Sequence, residues 1–383
     1  MPYFSFSLNN SFPNSQLNKN LIDYKLKINT LYYSKDTNIW KILNKKKNSI
    51  HILSLKFEVR NEYIKNSKSV IFFLPPSIGL GDAIEYALAI EKIIKEGIFK
   101  KIGVAFVGNY KFIFSNLFKI KNVYESTINQ IDLNKFDTCF HFSKEILSIN
   151  NQKKNRANIE KDVCDFFNIK ISKSNKKEVR KITKITLFPI SSSPIRTMPF
   201  YIVNSIIEKL SNKIKIDVVV DKLYPTSNYL INNIDTENIN LVFHEKISDL
   251  VRIVKNIDYG IFMDSGPLHL AKKLNKNGLL IETSVSHKIL LNNNKNIDVI
   301  KNSFSSDFCA APCGLINIFN LNDSLGCYET NHITKKELGD IKNFKSLQRG
   351  NLKESYIKFM EHPVGCVKDI DLKKILNTIE NLL

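Results

Sequence analysis

From residue 69 onward the chain alternates between short apolar runs and longer stretches whose apolar residues recur at helical spacing. The run Ser69-Val-Ile-Phe-Phe-Leu-Pro75 lacks polar alternation and is too short for a buried helix, so it fits a strand covered on both faces. The turn Pro76-Ser-Ile-Gly-Leu-Gly81 follows, and then a helix over Asp82–Lys95 with Gly97 as its stop. Strands over Ile102–Val107 and Phe136–Phe142 continue the series. The charged stretch Lys173-Ser-Asn-Lys-Lys-Glu-Val-Arg-Lys181 interrupts it. The alternation then restarts, with strands at Ile185–Ile190, Ile214–Val220, Ile239–Phe243, Tyr259–Met263 and Gly278–Ile281. Between them lie helices opening at Pro199, around Tyr224–Ile234, over Ser248–Lys255 and over Pro267–Leu274. Such βαβ repetition demands parallel sheets with helices on both faces. The reading is therefore an α/β protein of two units facing a cleft, 69–180 and 181–383. Residues 1–68 form an Asn/Lys-rich, strand-bearing appendage of unread role. Ligands of such sheets sit beyond the carboxyl ends of the strands.

Composition narrows the function. The net charge of +19 invites a nucleic-acid reading, but only six of the 56 basic residues are Arg, at positions 60, 156, 180, 196, 252 and 349. Base and phosphate recognition leans on the planar Arg fork, whereas Lys spread along the whole chain describes a solvated surface. Nucleic acid is thus not expected, and an anionic membrane face or anionic substrate is the better partner for the basic surface. No apolar run reaches the length of a membrane span, and no charged segment leads an apolar one at the amino terminus, so a cytoplasmic protein is expected. Cys139 and Cys164 stand singly in apolar surroundings. Cys309, Cys313, Cys327 and Cys366 fall in the last fifth, and in a reducing compartment they do not predict disulfides. Four thiols are a candidate structural zinc cluster, but their spacing matches no zinc finger, and no metal is assigned.

Two turns carry chemistry. In Gly79-Leu-Gly-Asp82 two glycines follow a strand in a chain with only 13 of them. A dinucleotide fingerprint would need a third glycine and an acid ending the next strand, and both are missing. Asp82 either caps its helix or serves as a general base at the strand end. In Asp264-Ser-Gly-Pro-Leu-His-Leu-Ala271, Ser265, Gly266 and Pro267 open a helix whose backbone N–H groups and dipole suit a diphosphate. His269 is either a packed core residue or a partner of the leaving phosphate.

The string Asp264-Ser-Gly-Pro-Leu-His-Leu-Ala271 resembles the Asp-(Ser/Thr)-Gly-x-x-His-x-Ala signature of glycosyltransferase family 9, the ADP-heptose lipopolysaccharide heptosyltransferases. Ile78-Gly-Leu-Gly-Asp-Ala83 is similar to that family's amino-terminal Gly-Asp turn. Ser192-Ser-Pro-Ile-Arg-Thr-Met-Pro199 is similar to its Ser-x-x-(Arg/Lys)-x-Trp-Pro segment, with Met198 where Trp is usual. Cys309-Ala-Ala-Pro-Cys313 with Cys327 and Cys366 is similar to the Cys-containing tails of many members. The resemblance covers residues 69–383. It implies a GT-B fold of two Rossmann-like domains, acceptor on the first and nucleotide sugar on the second. It implies an inverting, metal-independent transfer without a cofactor, with heptose from an ADP-linked donor going to a lipid-linked or oligosaccharide acceptor of the lipopolysaccharide core or a related envelope glycan. By the same resemblance Asp82 is the base, Gly79 and Gly81 shape the acceptor-side loop, and Ser192, Arg196, Asp264, Ser265, Gly266 and His269 bind the donor. Asp221, ending a strand, is placed to meet a ribose. The alternative is a protein of this fold that binds nucleotide sugars without turnover; an NAD-linked enzyme and a zinc-stabilised nucleic-acid binder fit the residues less well.

Overall fold

The computed structural model describes strand segments at 4–8, 30–32 and 50–54, most of 67–142, residues 158–172, most of 181–315, Cys327, and 359–383 apart from 364. The rest of the amino-terminal appendage, the joint at 173–180 and Cys309 lie outside the described residues. Contacts divide the chain into two compact units, Met1–Leu147 with Val163–Ile169, and Ser148–Asp162 with Lys170–Leu383. Both are α/β units built on parallel sheets, as the alternation implies.

In the first unit, β1 (Phe4–Leu8) pairs antiparallel with β3 (Ile50–Ser54), and β2 (Thr30–Tyr32) pairs antiparallel with β7 (Thr127–Asn129). The main sheet comprises β4 (Ser69–Phe73), β5 (Lys101–Phe106), β6 (Asn122–Glu125) and β8 (Thr138–His141). All its strands are parallel, in the order β6-β5-β4-β8. Every residue of β4 is buried, which is why its run is apolar throughout. Its side chains alternate between faces. Ile71 and Phe73 pack with Ala105, Ile128 and Phe136, while Phe72 stacks on Phe142 at 5.2 Å. Helix α1 (Leu80–Lys95) covers the Phe72 face, bringing Tyr86 to 4.9 Å from the Phe142 ring. It ends at Gly97, whose φ of +65° suits glycine.

The second unit holds β9 (Lys184–Phe188), β10 (Lys215–Asp221), β11 (Asn240–His244), β12 (Tyr259–Phe262), β13 (Gly278–Ile281) and β14 (Ile297–Ile300). They form one parallel sheet ordered β11-β10-β9-β12-β13-β14. The chain lays down three strands outward from β9, then crosses back and builds the other half from β12. That is the strand order of the dinucleotide-binding fold, and its crevice opens where β9 meets β12.

The connecting helices are α2 (Ile159–Phe166), α3 (Phe200–Leu210), α4 (Pro225–Asn233), α5 (Ile247–Lys255), α6 (Gly266–Lys273) and α7 (His287–Leu290). Two more, α8 (Gly365–Lys368) and α9 (Leu372–Glu380), close the chain. Ile202 and Ile206 of α3 and Ile375 and Ile379 of α9 share one core with Leu187, Val218 and Ile261 of the sheet. Phe188 and Phe262, neighbours on adjacent strands, stack at 5.0 Å. A buried ion pair joins Lys272 to Glu160 at 3.5 Å; the Leu290 carbonyl (2.8 Å from Lys272 Nζ) and the Asn292 amide (2.7 Å from Glu160 Oε2) complete their hydrogen bonding. Both charges are therefore paired and solvated by protein dipoles, the condition under which such a pair survives burial.

The sequence analysis assigned no elements to β6, β14, α2, α9 or the π-helical turn Ile113–Leu117. Nor did it place β1, β7, α7 or α8; the strands and helices it placed between residues 69 and 281 lie within a few residues of their expected places. Among the described residues, no helix is long and apolar enough to cross a membrane.

Gly260 and Gly278 face each other across β12 and β13, and a Cβ on Gly278 would fall 2.4 Å from the Gly260 carbonyl oxygen. Because that obstacle is backbone in a sheet centre, Gly278→Ala is expected to cost about 1–3 kcal/mol of stability, as overpacking does. Urea unfolding measures this; a change below about 0.5 kcal/mol, the range of a surface substitution, would contradict the packing described.

Candidate functional site

The loops leaving β9 and β12 meet at the crevice of the second sheet. After β9 the chain runs through Ser191, Ser192 and Ser193 into the 3₁₀ turn Pro194–Arg196, then to Pro199, which caps α3. The loop is closed on itself. Thr197 Oγ1 accepts from the Ser191 N–H at 3.2 Å and donates to the Ser193 carbonyl at 3.0 Å, and the Met198 N–H bonds the Pro189 carbonyl at 2.8 Å. Met198 is wholly buried and serves as a core anchor of the loop.

Arg196 and Ser191 converge on one residue of the other loop. Arg196 Nη1 donates to the Asp264 carbonyl oxygen at 3.0 Å and lies 3.3 Å from Asp264 Oδ2, while Nη2 donates to Ser192 Oγ at 2.9 Å. Ser191 Oγ donates to the same Asp264 carbonyl at 2.9 Å. The guanidinium thus binds its own loop and the β12 loop together. Asp264 and His269 are each 3% exposed, with His269 Nε2 4.0 Å from Asp264 Oδ1. They sit inside the protein. Ser265 is the extended residue before α6, and its hydroxyl bonds back to the Met263 carbonyl at 3.3 Å rather than capping the helix. Pro267 follows in the first turn, where its missing N–H is not needed.

Three buried hydroxyls, Ser193 Oγ, Thr283 Oγ1 and Ser284 Oγ, have no hydrogen-bond partner among the described residues. They lie after β9 and β13, the two strands that flank β12. Sequence reasoning did not single out Ser191, Thr197, Thr283 or Ser284; the run of serines after β9 was the available signal for the first. It also missed Glu282, which is 4% exposed, accepts the His287 N–H at 2.7 Å and pairs with the His287 ring. Asp221 stands at the end of β10, one strand from β9, opposite His244 of β11.

In the first unit, helix α1 begins at Leu80, with Gly79 as its cap residue, so Gly81 and Asp82 fall in its first turn. Asp82 Oδ2 accepts the Gly79 N–H at 3.0 Å. That is a capping bond, and it engages one oxygen only: Asp82 Oδ1 has no hydrogen-bond partner among the described residues. Gly79 has φ −83°, an angle open to any residue, and a Cβ there would meet only Asp82 Oδ2 at 3.8 Å. Among the described residues, no contact requires this glycine.

Cys313, Cys327 and Cys366 line one small cavity with Ile195, Ser284 and Phe359. Among the described residues, no three His, Cys, Asp or Glu side chains are placed to hold a metal ion. Cys164 is buried, and burial pushes the Cys139 thiol up to about 11.

No family model and no curated protein sequence matches the chain. Solved structures do resemble it. A glycosyltransferase family 9 protein from Veillonella parvula, 10% identical, superposes over 83% of this chain and 98% of its own with a TM-score of 0.50. The Escherichia coli heptosyltransferase WaaC with ADP-2-deoxy-2-fluoro heptose, 9% identical, covers 61% of this chain and 93% of its own at 0.44. The dodecameric iron-containing heptosyltransferase TibC in complex with ADP-D-beta-D-heptose, 10% identical, covers 100% of this chain and 92% of its own at 0.48. At 10% identity the likeness to the Veillonella protein bears on the fold alone, and with the two parallel sheets it describes Rossmann-like units of the glycosyltransferase GT-B kind.

Beside Asp221, burial holds the His244 pKa below its ordinary 6.5, against the opposing pull of the Asp221 and Asp249 charges. The unfolded chain therefore takes up this proton first as pH falls. Stability is full above 6.5 and is lost as pH drops through the folded value. Replacing His244 by Gln should flatten that part of the decline in urea midpoint between neutral and mildly acidic pH; an unchanged decline would contradict the assignment.

Proposed function

We propose that the chain is an inverting, metal-independent glycosyltransferase that moves a sugar, heptose from ADP-heptose in the first instance, to a hydroxyl of a lipopolysaccharide-core or related envelope acceptor. The observation that carries this reading is the convergence of Ser191 and Arg196 on the Asp264 carbonyl at the crevice between β9 and β12, directly before α6 opens. A diphosphate needs donors already in place where its charge grows during bond breaking. In this reading the backbone N–H groups at Ser265 and Gly266, the α6 dipole and the Arg196–Ser192 rim receive it. Asp264 and His269, being buried, hold the loop from behind. Asp221 is assigned to the ribose.

The first unit is read as the acceptor side. The acceptor hydroxyl attacks the anomeric carbon as its bond to the diphosphate oxygen breaks; the electron pair leaves with the diphosphate, and Asp82 takes the hydroxyl proton. Oδ2 keeps the capping bond, so Oδ1 is the receiving atom. Gly79 fits a close approach of the acceptor to the backbone, since no contact among the described residues accounts for it. A net charge of +19 suits a protein working in the cytoplasm at an anionic membrane face, where its acceptor would be displayed.

Thermal unfolding against ADP, UDP, GDP and ADP-heptose tests the donor assignment. ADP and ADP-heptose should raise the melting temperature, as ligands of the folded state do; no shift with any of the four would contradict it. Asp82→Ala should keep the ADP shift while slowing transfer about 10²–10⁴-fold, the usual worth of a general base. Full turnover in that variant would remove Asp82 from the chemistry, and a protein that binds ADP-heptose yet never transfers would be the non-catalytic binder.

A further inference from the structure

The turn that carries Asp82 is held from the neighbouring strand. β5 lies beside β4, and after it the chain makes a tight turn through Gly108 to Tyr110. Tyr110 donates its phenol O–H to the Ile78 carbonyl at 2.8 Å, 32 residues away in sequence. Ile78 immediately precedes Gly79, whose N–H is the one Asp82 Oδ2 grips.

The ring is itself placed by its surroundings. Gly108 has φ +129°, a conformation other residues rarely adopt, and a Cβ on it would fall 2.7 Å from the Tyr110 ring. The Phe106 ring lies 6.2 Å from it, and the Tyr110 carbonyl accepts from the Ile113 N–H at 2.9 Å, anchoring it to the following helical turn. Gly108 thus serves both the turn, through its φ, and the seat of this ring.

We infer that Tyr110 is a positioning residue for the Gly79–Asp82 turn, its hydroxyl fixing the Ile78 carbonyl and through it the backbone that orients the Asp82 carboxylate. The inference rests on the reading of Asp82 as the base. Burial, and after it the charge of Asp82, hold the Tyr110 phenol above its ordinary pKa, so it remains a protonated donor through neutral pH. Tyr110 needs no contact with substrate for this role, and the Phe variant deletes only the atom that performs it.

The test is a double-mutant cycle on the full chain, reading ADP release from ADP-heptose with heptose-deficient lipopolysaccharide core as acceptor. Tyr110→Phe should lower kcat roughly 3- to 10-fold, the worth of one net hydrogen bond, and leave KM for ADP-heptose unchanged. Gly108→Ala, which displaces the ring, should act in the same direction. Asp82→Ala with Tyr110→Phe should be no slower than Asp82→Ala alone, because a residue acting through Asp82 has nothing left to position. A wild-type rate in Tyr110→Phe, or its full penalty repeated in the Asp82→Ala background, overturns the inference. Wild-type turnover in Asp82→Ala overturns the base assignment instead. Amide exchange in the peptide spanning 78–82 then decides on Tyr110 alone: faster exchange in Tyr110→Phe supports its hold on the turn, and unchanged exchange overturns it.

Discussion

The Asp264 carbonyl oxygen is the point on which the second unit's site depends. It accepts from Ser191 and from Arg196, two residues of a loop that lies about seventy positions earlier in sequence. Those bonds tie the loops after β9 and β12 together at the place where the strand order reverses. With them, the start of α6 is set against the Ser191–Arg196 turn to within hydrogen-bond tolerance. The arrangement is costly to disturb, because both ends of the ion pair are largely buried, where breaking a pair costs about 3–5 kcal/mol. A preorganised cradle of this kind is what a leaving diphosphate calls for, since donors that must first reorganise contribute less.

The same economy appears around Asp82 in the first unit. A side chain in the first turn of a helix can cap it and still present an atom outward when only one carboxylate oxygen is engaged. Capping and proton transfer, which look like competing readings in sequence, are compatible in geometry because they use different oxygens. Strand position sets the rest. Asp82 follows β4 and Asp264 follows β12, and each of these strands lies where its sheet changes direction of growth. In both units the turn that the proposed function uses therefore sits where a parallel sheet leaves a crevice.

Much of this was legible from the residues in order. Strands buried on both faces, such as β4, β12 and β13, read as unbroken apolar runs, and the turns after β4, β9 and β12 are contiguous strings whose motif survives without alignment. Of the four edge strands of the two parallel sheets, β8 and β11 were legible and β6 and β14 were not. Asn122-Val-Tyr-Glu125 of β6 is only half-buried throughout, and Ile297-Asp-Val-Ile300 of β14 is buried only at its ends, so neither forms an apolar run. Helix α2 hides because its buried positions include Glu160 and Asp162, whose charges break the periodic pattern. Partnerships across the chain were equally hidden. Local spacing says nothing of Arg196 reaching Asp264 or of Tyr110 reaching Ile78, since both depend on which strands become neighbours. His269 is a case where the motif is legible but the placement is not: only the structure puts it at 3% exposure, 4.0 Å from Asp264 Oδ1.

The central claim is that the entrance of α6 receives a diphosphate, and a crystal structure of the full chain with ADP addresses it most directly. The account predicts phosphate oxygens within hydrogen-bond distance of the Ser265 and Gly266 backbone N–H groups, with the Arg196–Asp264 bonds intact. ADP bound elsewhere on the protein, with that entrance closed by the chain's own side chains, would contradict it.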